Sequence, residues 1–402
     1  MPQPTPTGAR WSQASVLLLC GVFAATQIGK LPPAIPALRE AFGASLVVMG
    51  WIASIFNLVA ACAGLMAGMV ADWMGRRLLL KLGLVALGCG ALLGALAPGL
   101  PLLFVSRVLE GLGFVCVVVA APVLVREAVG AQQQRLALGI WSAYTAAGMT
   151  LMMLASPWTL QAIGWRGGWW FGVAGAVLLL LWVTRAFPGR GERPARGPGA
   201  AGLLRGLHVG TPWWLAACFG LYTLQWMALM VWMPTYLLEQ GALGLMTIGA
   251  LVGLMIFVNV PGNILGGWLS QRHVSLPMLL VGPAVVMGLT GWAVFSLHPA
   301  PVPLVLLCVL FSFFGGILPA SIYAAVPAVA ARHDNLGSVN GLVVQASNTG
   351  TLVGPPLAAA LVSAGDWTTL SPLFVVAAAA SAACALAAWR SADLRPQPAA
   401  TV

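Results

Sequence analysis

The spacing of the charges constrains this chain more than any other feature. Uncharged runs cover residues 11–29, 41–71, 82–106, 136–165, 206–238, 240–271, 335–365 and 367–389. A further run, 273–331, is long enough for two membrane crossings and is divided by HPAPVP at 298–303, because closely spaced prolines do not continue a helix. A helix that crosses a bilayer needs about 20 mostly apolar residues. Adding one crossing each from 101–128 and 167–187 predicts twelve spans: 13–36, 47–72, 78–98, 101–128, 136–160, 167–187, 212–238, 245–271, 275–297, 303–330, 337–364 and 368–390. Composition agrees. Hydrophobic residues make up 60% of the chain and charged residues 7%, against about 25% charged in a soluble domain. Lipid is therefore the expected solvent.

The positions of Lys and Arg give the orientation. With both termini in the cytoplasm, 15 of the 19 basic residues fall in inner loops or termini and two, Arg39 and Arg166, in outer loops. Lys30 and Arg107 remain inside spans. The net charge of +10 is thus a topology signal facing an anionic leaflet, and no basic patch for nucleic acid is expected. The first apolar run shows no cleavage site and reads as a retained helix. The expected location is a bacterial inner membrane, multi-pass, as a monomer in the lipid bilayer. The seven cysteines lie in apolar runs without CxxC spacing and read as small hydrophobes.

Residues 188–211, rich in Gly, Pro and Arg, read as a cytoplasmic linker between bundles of six helices at 1–187 and 212–402. A weak internal repeat agrees. A shift of 198 puts Gln27 on Gln225, Pro36 on Pro234, Gly64 on Gly262 and Gly68 on Gly266; a shift of 202 puts Gly139 on Gly341 and Gly148 on Gly350. Parallel repeats of this kind hold substrate near the midplane between the halves and work by rocking.

The stretch GLMAGMVADWMGRR, 64–77, carries Gly64 and Gly68 on one helix face, with Asp72 one turn later, then Gly75, Arg76 and Arg77. Small residues four apart let helix backbones approach. Asp72 is placed to meet Arg76, Arg77 or a helix N-terminus, as a latch that holds in one conformation and breaks in another. As topology signals alone, the arginines would need no such role. With RVLEGLG at 107–113, GWRGGWWF at 164–171 and IPALREAFG at 35–43, the pattern resembles the major facilitator superfamily over nearly the whole chain. The resemblance implies an all-α integral membrane protein of twelve helices in two pseudo-symmetric bundles, with residues 64–77 forming a conformational gate. WMPTYLLEQG at 232–241 resembles the cyanate and nitroimidazole transporter branch. Two departures stand out. Ser270 replaces the acid in the second-half copy of the gate, and span five lacks the G-x-x-x-G-P string common in drug antiporters. That string occurs in span eleven at Gly350, Gly354 and Pro355.

Three ionisable residues lie well inside spans: Lys30, Arg107 and Glu110. Charges there are costly and usually face a cavity or a partner. Arg107 and Glu110 are three apart on one helix face and are expected to pair. Lys30 would then be an uncompensated positive charge, with Gln27 a turn away, and the site would favour an anion. The bland alternatives are that Lys30 snorkels to the outer surface beyond Pro32 and Pro33, and that Arg107–Glu110 is a purely structural pair. Functionally, Gln27, Lys30 and Arg107 would bind substrate and Glu110 would carry a coupling proton. The family resemblance adds Gln225, Trp226, Tyr323 and Gln345 as cavity-lining residues. No HExxH, metal-ligand cluster or GxxxxGK[ST] appears, so neither an enzyme, a cofactor, a metal nor ATP is expected. The reading is a secondary transporter of a small anion, with protons as the coupling ion. The alternative is drug or metabolite efflux by proton antiport.

Overall fold

The computed structural model describes residues 11–62, 74–129, 133–189, 210–241, 243–272, 274–331 and 336–391. Every regular element among them is helical. The helices are α1 (Trp11–Phe42), α2 (Leu46–Cys62), α3 (Arg76–Ala95), α4 (Leu100–Ala128), α5 (Tyr144–Ile163), α6 (Gly167–Ala186), α7 (Gly210–Glu239), α8 (Leu245–Gln271), α9 (Leu276–Ser296), α10 (Pro301–Ala331), α11 (Leu336–Ala364) and α12 (Ser371–Arg390). Each expected span holds one of these helices; the span expected at 136–160 also takes in a separate short helix, Gln134–Ser142, ahead of α5, and the end of the span expected at 47–72 lies outside the described residues. Among the described residues nine stretches are long and apolar enough to cross a membrane, and one of these holds both α5 and α6. The outer surfaces carry bare apolar side chains such as Leu178, Ile264, Met278, Leu289 and Val376, as a lipid-facing wall requires.

The first span departs from its expected end. Pro32 and Pro33 do not stop it. They sit in the first turn of the segment Leu31–Phe42, where a missing N–H costs nothing. The helix therefore runs on to Phe42, and Lys30 lies at the seam between Trp11–Gly29 and Leu31–Phe42. Its backbone N–H still bonds Thr26 O at 3.0 Å.

The chain divides into two compact units. One comprises residues 1–43 and 66–197, the other residues 44–65 and 198–402. Close approach at glycine builds each. In the first unit, a Cβ on Gly148 of α5 would lie 2.2 Å from the Val22 carbonyl oxygen of α1. In the second, a Cβ on Gly350 of α11 would lie 2.0 Å from the Gly220 carbonyl oxygen of α7. These are the two glycines related by the shift of 202, and each does the same job in its own unit. Gly262 and Gly266 likewise pack α8 on α10, against Phe313 and Ile317. Helix α2 packs within the second unit, its Gly50 lying against Pro355 and Pro356 of α11, and Trp232 Nε1 donates to Pro355 O at 2.9 Å.

The turn before α6 has a clear cause. Gly164 adopts φ +70°, a conformation only glycine takes without strain. Arg166 then donates from Nε to Ala95 O at 3.1 Å and from Nη2 to Ala97 O at 3.0 Å, satisfying open carbonyls at the end of α3. Trp165 packs edge-on to Phe42 and to Trp169, both at 5.5 Å between centroids.

Candidate functional site

Three helices of the first unit converge on a buried polar cluster. Helix α1 supplies Thr26, Gln27 and Lys30; α4 supplies Ser106, Arg107 and Glu110; α6 supplies Trp169. All seven are buried. One carboxylate serves two cations. Lys30 Nζ donates to Glu110 Oε1, and Arg107 Nη1 donates to Glu110 Oε2 at 2.5 Å. Lys30 Nζ also donates to Gln27 Oε1 at 2.8 Å, and Arg107 Nη1 to the Gln27 backbone oxygen at 2.8 Å. The Gln27 amide cannot be turned over without loss, because its Nε2 donates to Thr26 Oγ1 at 2.9 Å. The lysine ring contact completes the cluster: Nζ lies 4.7 Å from the Trp169 ring centroid.

The expected Arg107–Glu110 pair is present. The expectation of an unpaired Lys30 is corrected: Lys30 shares Glu110, which lies 80 positions away in sequence. It does not snorkel, since its side chain is 0% exposed. The formal sum of the three groups is still +1. Glycines make the room. A Cβ on Gly90 would lie 2.7 Å from Glu110 Cγ, on Gly94 2.1 Å from Trp169 Nε1, and on Gly172 2.7 Å from Gln27 Oε1. Trp169 escaped the sequence reading. Its indole Nε1 is fully buried and has no acceptor. The only hint in sequence was its place behind GWRGG. An orphaned N–H beside an excess positive charge is an arrangement suited to one small negative group.

The expected residues of the second unit are separately placed. Gln225 Nε2 donates to Leu221 O at 3.2 Å, while its buried Oε1 has no partner. Gln345 Oε1 is also buried without a partner. Trp226 uses its Nε1 on Ser312 Oγ at 3.2 Å. Tyr323 is exposed and stands edge-on to Phe219. Asn259, one of the polar residues inside spans, organises a network the sequence does not show. It donates to Tyr222 Oη at 3.2 Å and to Ser312 O at 3.0 Å, and receives Asn263 Nδ2 at 2.8 Å.

Of the expected gate, Gly64, Gly68 and Asp72 lie outside the described residues. Gly75 adopts φ +85° and opens α3. Arg76 Nη1 bonds Glu127 Oε1 at 2.9 Å, and Arg77 Nη1 reaches Pro188 O at 3.5 Å. Glu127, at the end of α4, is a partner the sequence reading did not name.

Comparison with known proteins agrees with the helical plan. The family model described as Major Facilitator Superfamily matches residues 17–287. The Cyanate transport protein CynX of Escherichia coli (strain K12) is 25% identical over 324 residues, 79% of this chain and 83% of that protein. The Hexuronate transporter of Bacillus subtilis (strain 168) is 24% identical over 403 residues, 93% and 92% of the two chains. The Multidrug efflux pump LfrA of Mycolicibacterium smegmatis is 32% identical over 180 residues, 44% of this chain and 35% of that protein. Among solved structures, a bacterial homolog of the human lysosomal transporter Spinster, inward-facing and occupied, aligns with a TM-score of 0.80 at 16% identity. That alignment covers 99% of this chain and 100% of that one, and is a likeness of fold.

Proposed function

This chain belongs to the Major Facilitator Superfamily, and we propose that the small solute it moves by alternating access is an anion. It is a multi-pass membrane transporter and not an enzyme. The observation that carries the proposal is the buried +1 sum of Lys30, Arg107 and Glu110. A fixed positive charge away from water attracts a negative one far more strongly than it would in solvent. Gln27, Lys30 and Arg107 bind the anion in this reading. Gln225, Trp226, Tyr323 and Gln345 act as substrate contacts, and residues 64–77 act as the gate. The membrane is the bacterial inner membrane with both termini in the cytoplasm, and protons supply the coupling through the same cluster.

The printed functions of the cyanate and hexuronate relatives, both carriers of anionic solutes, support this reading. Likeness to the multidrug efflux pump over 180 residues favours a second reading, drug efflux by proton antiport. A buried positive sum works against a cationic drug as cargo. The test is uptake and efflux in proteoliposomes, with cyanate, small monocarboxylates and hexuronates on one side and cationic dyes on the other. The proposal expects saturable anion flux that Lys30→Ala reduces at least tenfold. Flux of dyes alone, or anion flux untouched by Lys30→Ala, refutes it.

A further inference from the structure

We infer that Lys30, rather than Glu110, gains and loses the coupling proton, so that one monovalent anion travels with one proton and no net charge. The inference rests on the anion reading above and adds to it the charge class of the cargo and the atom that carries the proton.

The geometry supplies the reasoning. Lys30 and Arg107 both face Glu110, and all three side chains are 0% exposed. No other ionisable group faces Lys30 from the elements packed on it among the described residues. Helix α4 presents Arg107 and Glu110, α6 presents Trp169 and Gly168, α5 presents Met152 beside Gly168, and α1 itself presents Gln27. The other described acids of this unit, Glu40 and Glu127, are exposed. Without cargo, the cluster would therefore hold one unbalanced positive charge away from water. A buried group in that position tends to neutralise itself.

Among the described residues, three groups of the cluster can alter the sum. Arg107 stays charged at any physiological pH. A proton added to Glu110 raises the sum to +2 and removes the acceptor both cations share. A proton lost from the Lys30 ammonium leaves a neutral Arg107–Glu110 pair, and the amine can still donate to Glu110 and Gln27. A monovalent anion reverses the balance: Lys30 takes its proton back and the sum with cargo becomes zero. Binding of anion and uptake of proton are then one event, and no charge crosses the membrane when the loaded protein reorients.

Two measurements test this. In the first, anion is added to purified protein in weakly buffered detergent with a pH-indicating dye, beside an isothermal binding titration. Wild type is expected to take up one proton per anion bound, and Lys30→Arg, whose guanidinium stays charged, to bind anion without taking up a proton. Binding without proton uptake by wild type, or proton uptake on anion binding retained by Lys30→Arg, overturns the inference. In the second, proteoliposomes containing wild type are expected to accumulate anion when the interior is alkaline and to be indifferent to an imposed membrane potential. Lys30→Arg, which cannot release its proton, is expected to exchange anion for anion but to lose accumulation driven by the pH gradient. An electrogenic wild type, or gradient-driven accumulation by Lys30→Arg, overturns the inference while leaving anion transport standing. Failure of wild type to move any anion overturns the functional reading itself, and this inference with it.

Discussion

Replacing Glu110 by Gln removes the counter-charge that Lys30 and Arg107 share. Two charge-assisted hydrogen bonds end on this carboxylate. Each such bond contributes about 1.5–3 kcal/mol, and breaking a buried pair by removing one partner costs about 3–5 kcal/mol. The second figure is the better guide, because the cost lies mainly in a buried cation deprived of the carboxylate that balances it. Lys30→Met is expected to cost far less, about 1–2 kcal/mol, since the loss of its bonds to Glu110 and Gln27 is offset by leaving Arg107 and Glu110 as a neutral pair. Replacing all three by Met removes every charge at once. Buried ion clusters exchanged for apolar side chains of similar volume are often neutral or even stabilising, so the triple variant should fall within about 1 kcal/mol of wild type or exceed it. The assay is thermal unfolding in detergent, followed by retention on size exclusion. The expected order is wild type near the triple variant, then Lys30→Met, then Glu110→Gln lowest. The triple variant should also move no anion. A Lys30→Met protein as unstable as Glu110→Gln, or a triple variant worse than both, would refute the charge-balance reasoning.

Trp169→Phe keeps a ring under Lys30 but removes the orphaned indole N–H; loss of one hydrogen bond of about 1 kcal/mol predicts a roughly fivefold rise in KM for anion with maximal flux retained. Gly148→Val drives a side chain into the Val22 carbonyl, where even a Cβ would lie 2.2 Å from the oxygen, so α1 and α5 must separate at a cost of about 1–3 kcal/mol, read as a lowered melting temperature. Arg76→Gln breaks a pair whose side chains are 28% and 52% exposed; the stability change should stay under about 1 kcal/mol and shrink further at high salt.

What the sequence disclosed follows a physical divide. Apolar runs reveal spans because bilayer thickness fixes their length, so the order and approximate bounds of the long helices are legible in the sequence. Local pairs are also legible. Arg107 and Glu110 share a face because helical geometry puts positions three apart together. The end of the first helix was less legible, because a proline that breaks a helix interior is at home in a first turn, and the helix runs past Pro32, Pro33 and the expected end at 36 to Phe42. The Lys30–Glu110 contact was not legible, since it joins residues 80 apart through the packing of α1 on α4. Nor could Trp169 be singled out among 17 tryptophans, because its distinction lies in a buried N–H without an acceptor, packed against Gly94 of another helix.

Pairing and charge nevertheless behave differently as quantities. A pairing assignment depends on where side chains point, and the one drawn for Lys30 had to be changed. A sum of charges depends only on which groups share the buried volume, and the value of +1 survived the change of partners. The preference for an anion follows from the sum, because over a few ångströms in a low-dielectric site the net field matters more than which donor holds which oxygen. The choice of proton carrier follows from the pairing, because only the observed geometry makes Glu110 a shared acceptor and so makes its protonation the costlier route. The two conclusions thus stand on separate features of the same cluster, and a rearrangement that kept all three groups buried together would disturb the second while leaving the first intact.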